Sequence, residues 1–393
     1  MVEWIFWACV LGVAHTYFLY PLVLVAIDAA HGVLADLRYL GGRGDRRRRA
    51  EPLSLPQVSL VVAAWNEAEV IGQKVENSLA LDYPEERFEV VIGSDGSDDG
   101  TDDIVAGFED RRVRLSSARE RAGKVSVLNR TVPSATGDIV VLSDANTQIE
   151  PQAIRKLVRH FADPNVGAVC GRLRLYNPKK SGYEESGYWL YESFLKLREG
   201  RRGAVMGANG GIYAIRKKLF PQLPAETIVD DFVVAMRCLQ RGYRVIYDPE
   251  AVAMEETTED YGRERVRRIR IAAGNFQSLG LVGDLLHPRH GFVAFAFFSH
   301  KVLRWMVPFL LAFAFLANLS LLGAGPLYQA TFAAQLVFYW MALVGFAVRL
   351  PGPLGAISSA ARYFVEMNLG LAQGFVRWVR RTQKPTWERT ARV

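Results

Sequence analysis

The sequence predicts an α/β chain with a doubly wound sheet in its middle and transmembrane helices at both ends. Trp4 to Ile27 contains no Asp, Glu, Lys or Arg, and at ~1.5 Å per residue such a run crosses a ~30 Å hydrocarbon core. Between positions 58 and 143 short β-branched runs alternate with helical patterns, which implies a mostly parallel sheet with helices on both faces. Two further apolar runs, roughly 304–322 and 330–348, flank the turn-forming Gly323 to Pro326 and read as an outgoing and a returning helix.

Only Glu3 precedes the first apolar run and no small-residue cleavage site follows it, so it is expected to remain as an anchor rather than leave as a signal peptide. Arg38, Arg43 and Arg46 to Arg49 come next, and the positive-inside rule then places the following domain in the cytosol, at a bacterial inner or plasma membrane. Gly41 to Pro56 is rich in Gly, Arg and Pro and reads as a linker. Val58 to Ala63 is a buried strand, Glu67 to Leu79 a helix, Glu89 to Gly93 a second strand and Lys124 to Thr131 a helix. Asp138 to Ser143 is a third strand, followed by a helix from about Pro151, with proline in the favoured first turn. In the last apolar segment Arg362 and Glu366 stand one helical turn apart, and Arg377, Arg380, Arg381, Lys384 and Arg389 follow. That pattern suits a re-entrant or interfacial helix, with a fourth span as the alternative. The resulting organisation is a transmembrane helix over 1–35, a basic linker over 36–56 and a globular domain over 57–260. Interfacial helices over 261–300, two transmembrane helices over 301–350 and the terminal segment 351–393 complete it.

Lys and Arg number 48 against 41 Asp and Glu, but the excess sits beside the apolar segments, so juxtamembrane arginine explains it and no nucleic acid partner is expected. Cys9, Cys170 and Cys238 are far apart with no CxxC spacing, which points to reduced thiols.

In such sheets ligands bind at the carboxyl ends of strands, where two acidic loops stand: Ser94-Asp95-Gly96-Ser97-Asp98-Asp99-Gly100-Thr101 and Ser143-Asp144-Ala145-Asn146-Thr147. Asp95 could bond a nucleobase edge or ribose, or belong to an acidic turn that caps the next helix; Asp98 and Asp99 read as turn and cap residues. Asp144 and Asn146 could aim two oxygens at one hard cation, or form an Asx-turn. Gly123-Lys124 opens a helix whose amides and ammonium could take a phosphate, without the spacing of a Walker A loop. Gly207-Ala-Asn209-Gly210-Gly211 either lets backbone approach a ligand or makes a tight turn. Asp230 and Asp231 begin a helical run, a position that favours carboxylates with or without chemistry; as a base, Asp231 needs an acceptor hydroxyl within reach. Arg267 and Arg270, at i and i+3, could clamp a diphosphate, whereas Arg263 and Arg265 suit anionic headgroups.

Taken in order, Asn66-Glu67 after the first strand, Ser94-Asp95-Gly96-Ser97, Gly123-Lys124, Asp144-Ala145-Asn146, Gly210, Asp230-Asp231 and the Arg267 cluster resemble the membrane-embedded family 2 glycosyltransferases. That group includes the cellulose, hyaluronan, chitin and poly-N-acetylglucosamine synthases, and the resemblance covers about 58–304. It implies a GT-A (Rossmann-like) fold, a UDP-sugar donor and a Mg²⁺ or Mn²⁺ cofactor. Carried over by position, Ala63, Glu67, Asp95, Lys124, Asp144, Arg267 and Arg270 would contact the donor, and Asp144 with Asn146 the metal. Gly210, Asp230 and Ile271 would face the acceptor, with Asp231 as catalytic base. Asn146 offers a neutral amide where a second carboxylate would bind the cation more strongly, and Ile271 stands where the family has an acceptor-stacking Trp. The implied activity is inverting transfer to a growing exopolysaccharide or cell-envelope glycan with a β-linkage. Single addition to a membrane lipid acceptor is the alternative, and an inactive nucleotide-binding subunit of a synthase complex a third. The implied partners are the donor, a saccharide or lipid-linked acceptor, the bilayer and accessory export proteins.

Overall fold

The computed structural model describes residues 1–40, 55–176, 187–256, 261–348 and 350–384. The basic linker from Gly41, with Arg43 and Arg46 to Arg49, and the end of the tail, with Arg389, lie outside the described residues. The chain opens with α1 (Val2–Ala14), a π-helical turn (His15–Leu19) and α2 (Tyr20–Leu40). Strands and helices then alternate as β1 (Val58–Ala64), α3 (Ala68–Leu79), β2 (Phe88–Asp95), α4 (Thr101–Ala106), β3 (Val113–Ala118), α5 (Lys124–Ser134) and β4 (Ile139–Asp144). Next come β5 (Thr147–Ile149), α6 (Ala153–Val158), β6 (Val166–Tyr176), α7 (Gly187–Arg201), β7 (Tyr213–Arg216), α8 (Asp230–Gln240) and β8 (Arg244–Glu256). Five helices follow: α9 (Tyr261–Val282), α10 (Phe292–Ala296), α11 (Leu303–Ser320), α12 (Pro326–Ala347) and α13 (Gly352–Val379). These residues form two compact units; Met1–Val23, Gly262–Leu279 and Phe297–Gln383 make up a helical one, and the remainder contains the sheet.

The sheet runs β3-β2-β1-β4-β7-β6-β8-β5. Its first four strands are parallel, but β7 runs antiparallel to both β4 and β6, and β5 antiparallel to β8. The sheet is therefore mixed, with four of its seven pairings among the described residues parallel, β6 with β8 included, and the reversal matters: it delivers the segment ahead of β7, Gly207 to Ile212, to the carboxyl end of β4. Every residue of β1 is buried, as expected for a central strand covered on both faces. Val58, Leu60, Val62, Val90, Ile92 and Val141 pack with Ile71 and Val75 of α3 in one core, each such burial stabilising the fold by roughly 1.5–3 kcal/mol. Register fixes the site's row, because Ala63 pairs with both Gly93 and Asp144.

In the helical unit, Phe6 and Cys9 of α1 pack with Ala314, Ala317 and Tyr328. Phe276 of α9 stacks on Trp378 and meets Phe375 and Trp305, and Trp305 is buried. Trp305 is thus a packing residue. Among the described residues three helical stretches, Val2–Arg38, Phe292–Ser320 and Pro326–Ala347, are long and apolar enough to cross a membrane. Helix α13 is not one of them; its Arg362 and Glu366 face each other at 3.9 Å. None of the three cysteines forms a disulfide among the described residues, and all three are buried.

Candidate active site

The site assembles at the carboxyl ends of β1, β2 and β4. Asn66, just past β1, adopts a left-handed φ of 52°. Its amide donates to Asp98 Oδ1 at 2.7 Å and accepts the Asp98 N–H at 3.0 Å, clasping the two loops together. Asp99 accepts from the Ala68 N–H and from Thr101; burial opposes its charge, yet these bonds hold its carboxyl below the usual range. Asp98 and Asp99 are turn and cap residues. The Glu67 N–H donates to Thr101 Oγ1 at 2.8 Å and its carbonyl accepts the Val70 and Ile71 N–H groups that begin α3, so this nearly buried residue is placed by its backbone.

Asp95, fully buried, accepts the Ala122 N–H on Oδ1 and the Gly123 N–H on Oδ2, each at 2.8 Å. It therefore pins the turn that starts α5, the second helix after it, and not the α4 start that the capping alternative named. Gly96 has φ 68°, and a Cβ there would lie 2.9 Å from the backbone of Glu120 and Arg121, so glycine lets that turn cross the end of β2. Arg121 in turn lies over the Trp65 ring, 3.3 Å from its centroid.

With its turn held, Lys124 reaches Asp144 Oδ1 at 2.6 Å and stands 3.8 Å from Asp230 Oδ2. Asp230 and Asp231 are the first residues of α8, and Asp231 Oδ1 accepts the Phe232 N–H at 2.8 Å. A Cβ built on Gly210 would be 3.3 Å from both Asp144 Oδ2 and Asp231 Oδ2, and 3.8 Å from Lys124 Nζ. Three carboxylates and one ammonium thus converge beside a residue without a side chain. Burial, and then the Asp230 charge, push the Asp231 carboxyl up to about 6 against the pull of Lys124. Burial disfavours the Lys124 ammonium, but Asp144, Asp230 and Asp231 outweigh it and hold its pKa well above the ordinary lysine value. The buried Tyr213 hydroxyl has no hydrogen-bond partner among the described residues, and burial and then the same three carboxylates raise its pKa.

Asn146 donates its amide to Glu255 Oε1 at 3.2 Å, across the pair β5–β8 in which Thr147 meets Glu255. That turns the nitrogen away and leaves the amide oxygen as the donor for a cation. Among the described residues no three His, Cys, Asp or Glu side chains cluster to hold an ion alone. By their chemistry, the Asp144 carboxylate and the Asn146 amide oxygen are hard donors of the kind taken by a cation that draws its other ligands from phosphate and water. The remaining residues divide. Ala63 stands in the row with Asp144. Arg267, Arg270 and Ile271 stand on α9, in the helical unit, where Glu264 pairs with Arg267 at 3.4 Å and with Arg268 at 2.8 Å.

Sequence reasoning missed two lysines. Lys196 of α7, 7% exposed, donates to Asn209 Oδ1, and the Asn209 amide donates to the Gly171 carbonyl at 2.9 Å, which fixes the loop ahead of Gly210. Lys74 lies within the apolar stripe of α3, between Ile71, Val75 and Ser78, and a cation in such a stripe was the available signal. Because even a Cβ at Gly210 would crowd the Asp144 and Asp231 carboxylates at 3.3 Å, Gly210→Val is expected to lower kcat/KM at least ~10-fold; steady-state kinetics, with calorimetry to confirm that the variant is folded, checks it.

Residues 56–274 match the family described as glycosyltransferase like family 2. The poly-beta-1,6-N-acetyl-D-glucosamine synthase of Staphylococcus aureus is 28% identical over 232 residues, 57% of this chain and 56% of that protein. The probable glycosyltransferase YdaM of Bacillus subtilis is 28% identical over 236 residues, 56% of each. The chain thus spans about half the length of the curated relatives it matches. Among solved structures, the mannosyltransferase PcManGT from Pyrobaculum calidifontis, in complex with GDP-Man and Mn²⁺, superposes with a TM-score of 0.64 at 24% identity, over 91% of this chain and 98% of that one. The mixed sheet shares its GT-A fold, and the matched family covers more than half of the chain, so the protein belongs to the family 2 glycosyltransferases.

Proposed function

We propose that the chain transfers a sugar from a UDP-sugar to a growing polysaccharide with inversion, giving a β-linkage, at the cytosolic face of a membrane. The observation that carries this is the facing pair at Gly210: the Asp231 carboxylate, shifted to about 6, opposite Asp144 and its Lys124 ammonium. The likeness to a poly-beta-1,6-N-acetyl-D-glucosamine synthase supports a saccharide acceptor. The three apolar stretches support the membrane setting.

In this mechanism Asp231 takes the proton of the acceptor hydroxyl, the acceptor oxygen bonds to the anomeric carbon, and the bond from that carbon to the diphosphate oxygen breaks. The electron pair leaves with UDP. Lys124, held positive by its carboxylates, neutralises the departing diphosphate, and Asp230 helps to keep Asp231 basic enough to act. Asp95 serves the nucleotide by fixing the turn from which Lys124 projects. A Mg²⁺ or Mn²⁺ ion would be held by Asp144 and Asn146 and would supply further neutralisation of the diphosphate.

The sign of the pH dependence follows. A protonated Asp231 cannot accept a proton, so kcat is expected to fall about tenfold per unit as the pH drops below about 6, which a pH–rate profile at saturating donor checks. The proposed activity itself is tested with purified protein in nanodiscs, Mn²⁺ and radiolabelled UDP-sugars, with Asp231→Asn as blank. A high-molecular-weight ladder supports the polysaccharide assignment. Label confined to a small lipid-extractable product replaces it with single addition to a lipid, and label equal to the blank removes the catalytic assignment.

A further inference from the structure

Lys74 is the one lysine of the sheet unit's described residues with 0% of its surface exposed, and nothing in the proposed mechanism uses it. Its ammonium donates to Ser143 Oγ at 2.8 Å and to the Thr147 carbonyl at 2.6 Å. Both acceptors are neutral, and they are the two ends of the loop that carries Asp144 and Asn146. Ser143 then donates its own hydroxyl proton to the Gly211 carbonyl at 2.8 Å. One buried cation therefore joins three segments: α3, the Asp144 loop and the Gly210-Gly211 backbone against which Asp144 and Asp231 stand. Burying an ammonium among neutral groups is costly, and here burial pulls its pKa down to about 7, opposed by the Asp144 charge. A methionine at this place in the apolar stripe would fill the same space without that cost.

We propose that Lys74 is a positioning residue that holds the Asp144–Asn146 loop and the Gly210 backbone at the spacing needed for donor diphosphate and its cation. This rests on the proposed nucleotide-sugar activity. Nothing about it requires contact between Lys74 and the substrate; it acts through Ser143 and the Thr147 carbonyl.

The test compares full-length wild type, Lys74→Met and Ser143→Ala in nanodiscs. It uses Mn²⁺ binding by electron paramagnetic resonance, UDP binding by calorimetry, thermal unfolding, and KM against kcat. The expected result is that Lys74→Met folds with an equal or higher melting temperature, binds Mn²⁺ and UDP at least ~10-fold more weakly, and raises the donor KM by a similar factor. Ser143→Ala, which removes the Lys74–Ser143 bond and the link to Gly211 but leaves the bond to the Thr147 carbonyl, is expected to show a smaller loss in the same direction. Folded Lys74→Met with wild-type Mn²⁺ and UDP affinity would overturn the proposal, leaving Lys74 as a fold element. If Lys74→Met does not fold, Ser143→Ala decides: wild-type affinity there overturns it too. Wild-type protein that binds no UDP at all instead removes the nucleotide-sugar assignment, a different result from equal binding by both.

Discussion

Asp231→Asn is expected to lower kcat by 10²–10⁴-fold, the range that general-base catalysis contributes, while UDP affinity and melting temperature stay close to wild type. The amide keeps the size of the carboxyl and can still accept the Phe232 N–H through its oxygen, so the helix start is preserved. What is lost is the proton acceptor facing Gly210. Removing this charge also relieves the crowding of Asp230 and Asp231 that raises the Asp231 pKa, so any stability change should be favourable or small. Single-turnover transfer of labelled sugar, paired with calorimetric UDP binding, separates the two effects. Retained turnover would show that another group takes the proton, and lost UDP binding would show that Asp231 belongs to the donor side.

Lys124→Met should act in the opposite manner, through binding first. Asp144, Asp230 and Asp231 would then face one another without the ammonium that reaches Asp144 at 2.6 Å, and donor diphosphate would add further negative charge. The donor KM is expected to rise at least ~10-fold, which corresponds to about 1.4 kcal/mol. Because Lys124 pulls the Asp231 pKa downward, its loss should also move the acid limb of the pH–rate profile to higher pH. A single profile therefore reads both functions of this residue: an unchanged limb with weakened donor binding would mean that Lys124 serves the phosphate alone.

The part of the fold that sequence patterns revealed is the part built from parallel strands. Val58 to Ala63, Glu89 to Gly93 and Asp138 to Ser143 are continuous apolar runs because both faces of these strands are covered. The parallel edge strand β3 and the mixed far half of the sheet were not visible. β3 is a half-exposed edge strand reading Val-Arg-Leu-Ser-Ser-Ala, β5 has three residues, and β6 is only partly buried beyond Gly171, where Arg172-Leu-Arg-Leu-Tyr176 alternates instead of running continuously apolar. The motif order placed Lys124, Asp144, Gly210 and Asp231, and the structure gathers those four within a few ångströms of one another. It could not show how Asp95 spends its carboxylate, since hydrogen bonds to Ala122 and Gly123 depend on a turn that only the folded chain forms. Nor could it reveal Lys74 and Lys196 as organisers, because the Thr147 partner of Lys74 is 73 residues away and is a backbone carbonyl, and the bond from Lys196 to Asn209 depends on how the intervening loop folds back.

The pairing of Ala63 with Gly93 on one side and Asp144 on the other sets a rule for what this lineage of sequences can tolerate. Side chains in a strand alternate faces and advance ~3.3 Å per residue, so losing or gaining one residue in β4 would carry Asp144 away from Lys124 and turn it to the opposite face. Exchanges such as Val140→Ile or Val141→Ile alter volume alone and leave the count intact, at a cost of about 1–3 kcal/mol where the core is tight. Drift along these strands is thus permitted in the alphabet and forbidden in the spacing. A chain copied with many letter changes keeps its chemistry, and one copied with a single omission in the sheet loses it.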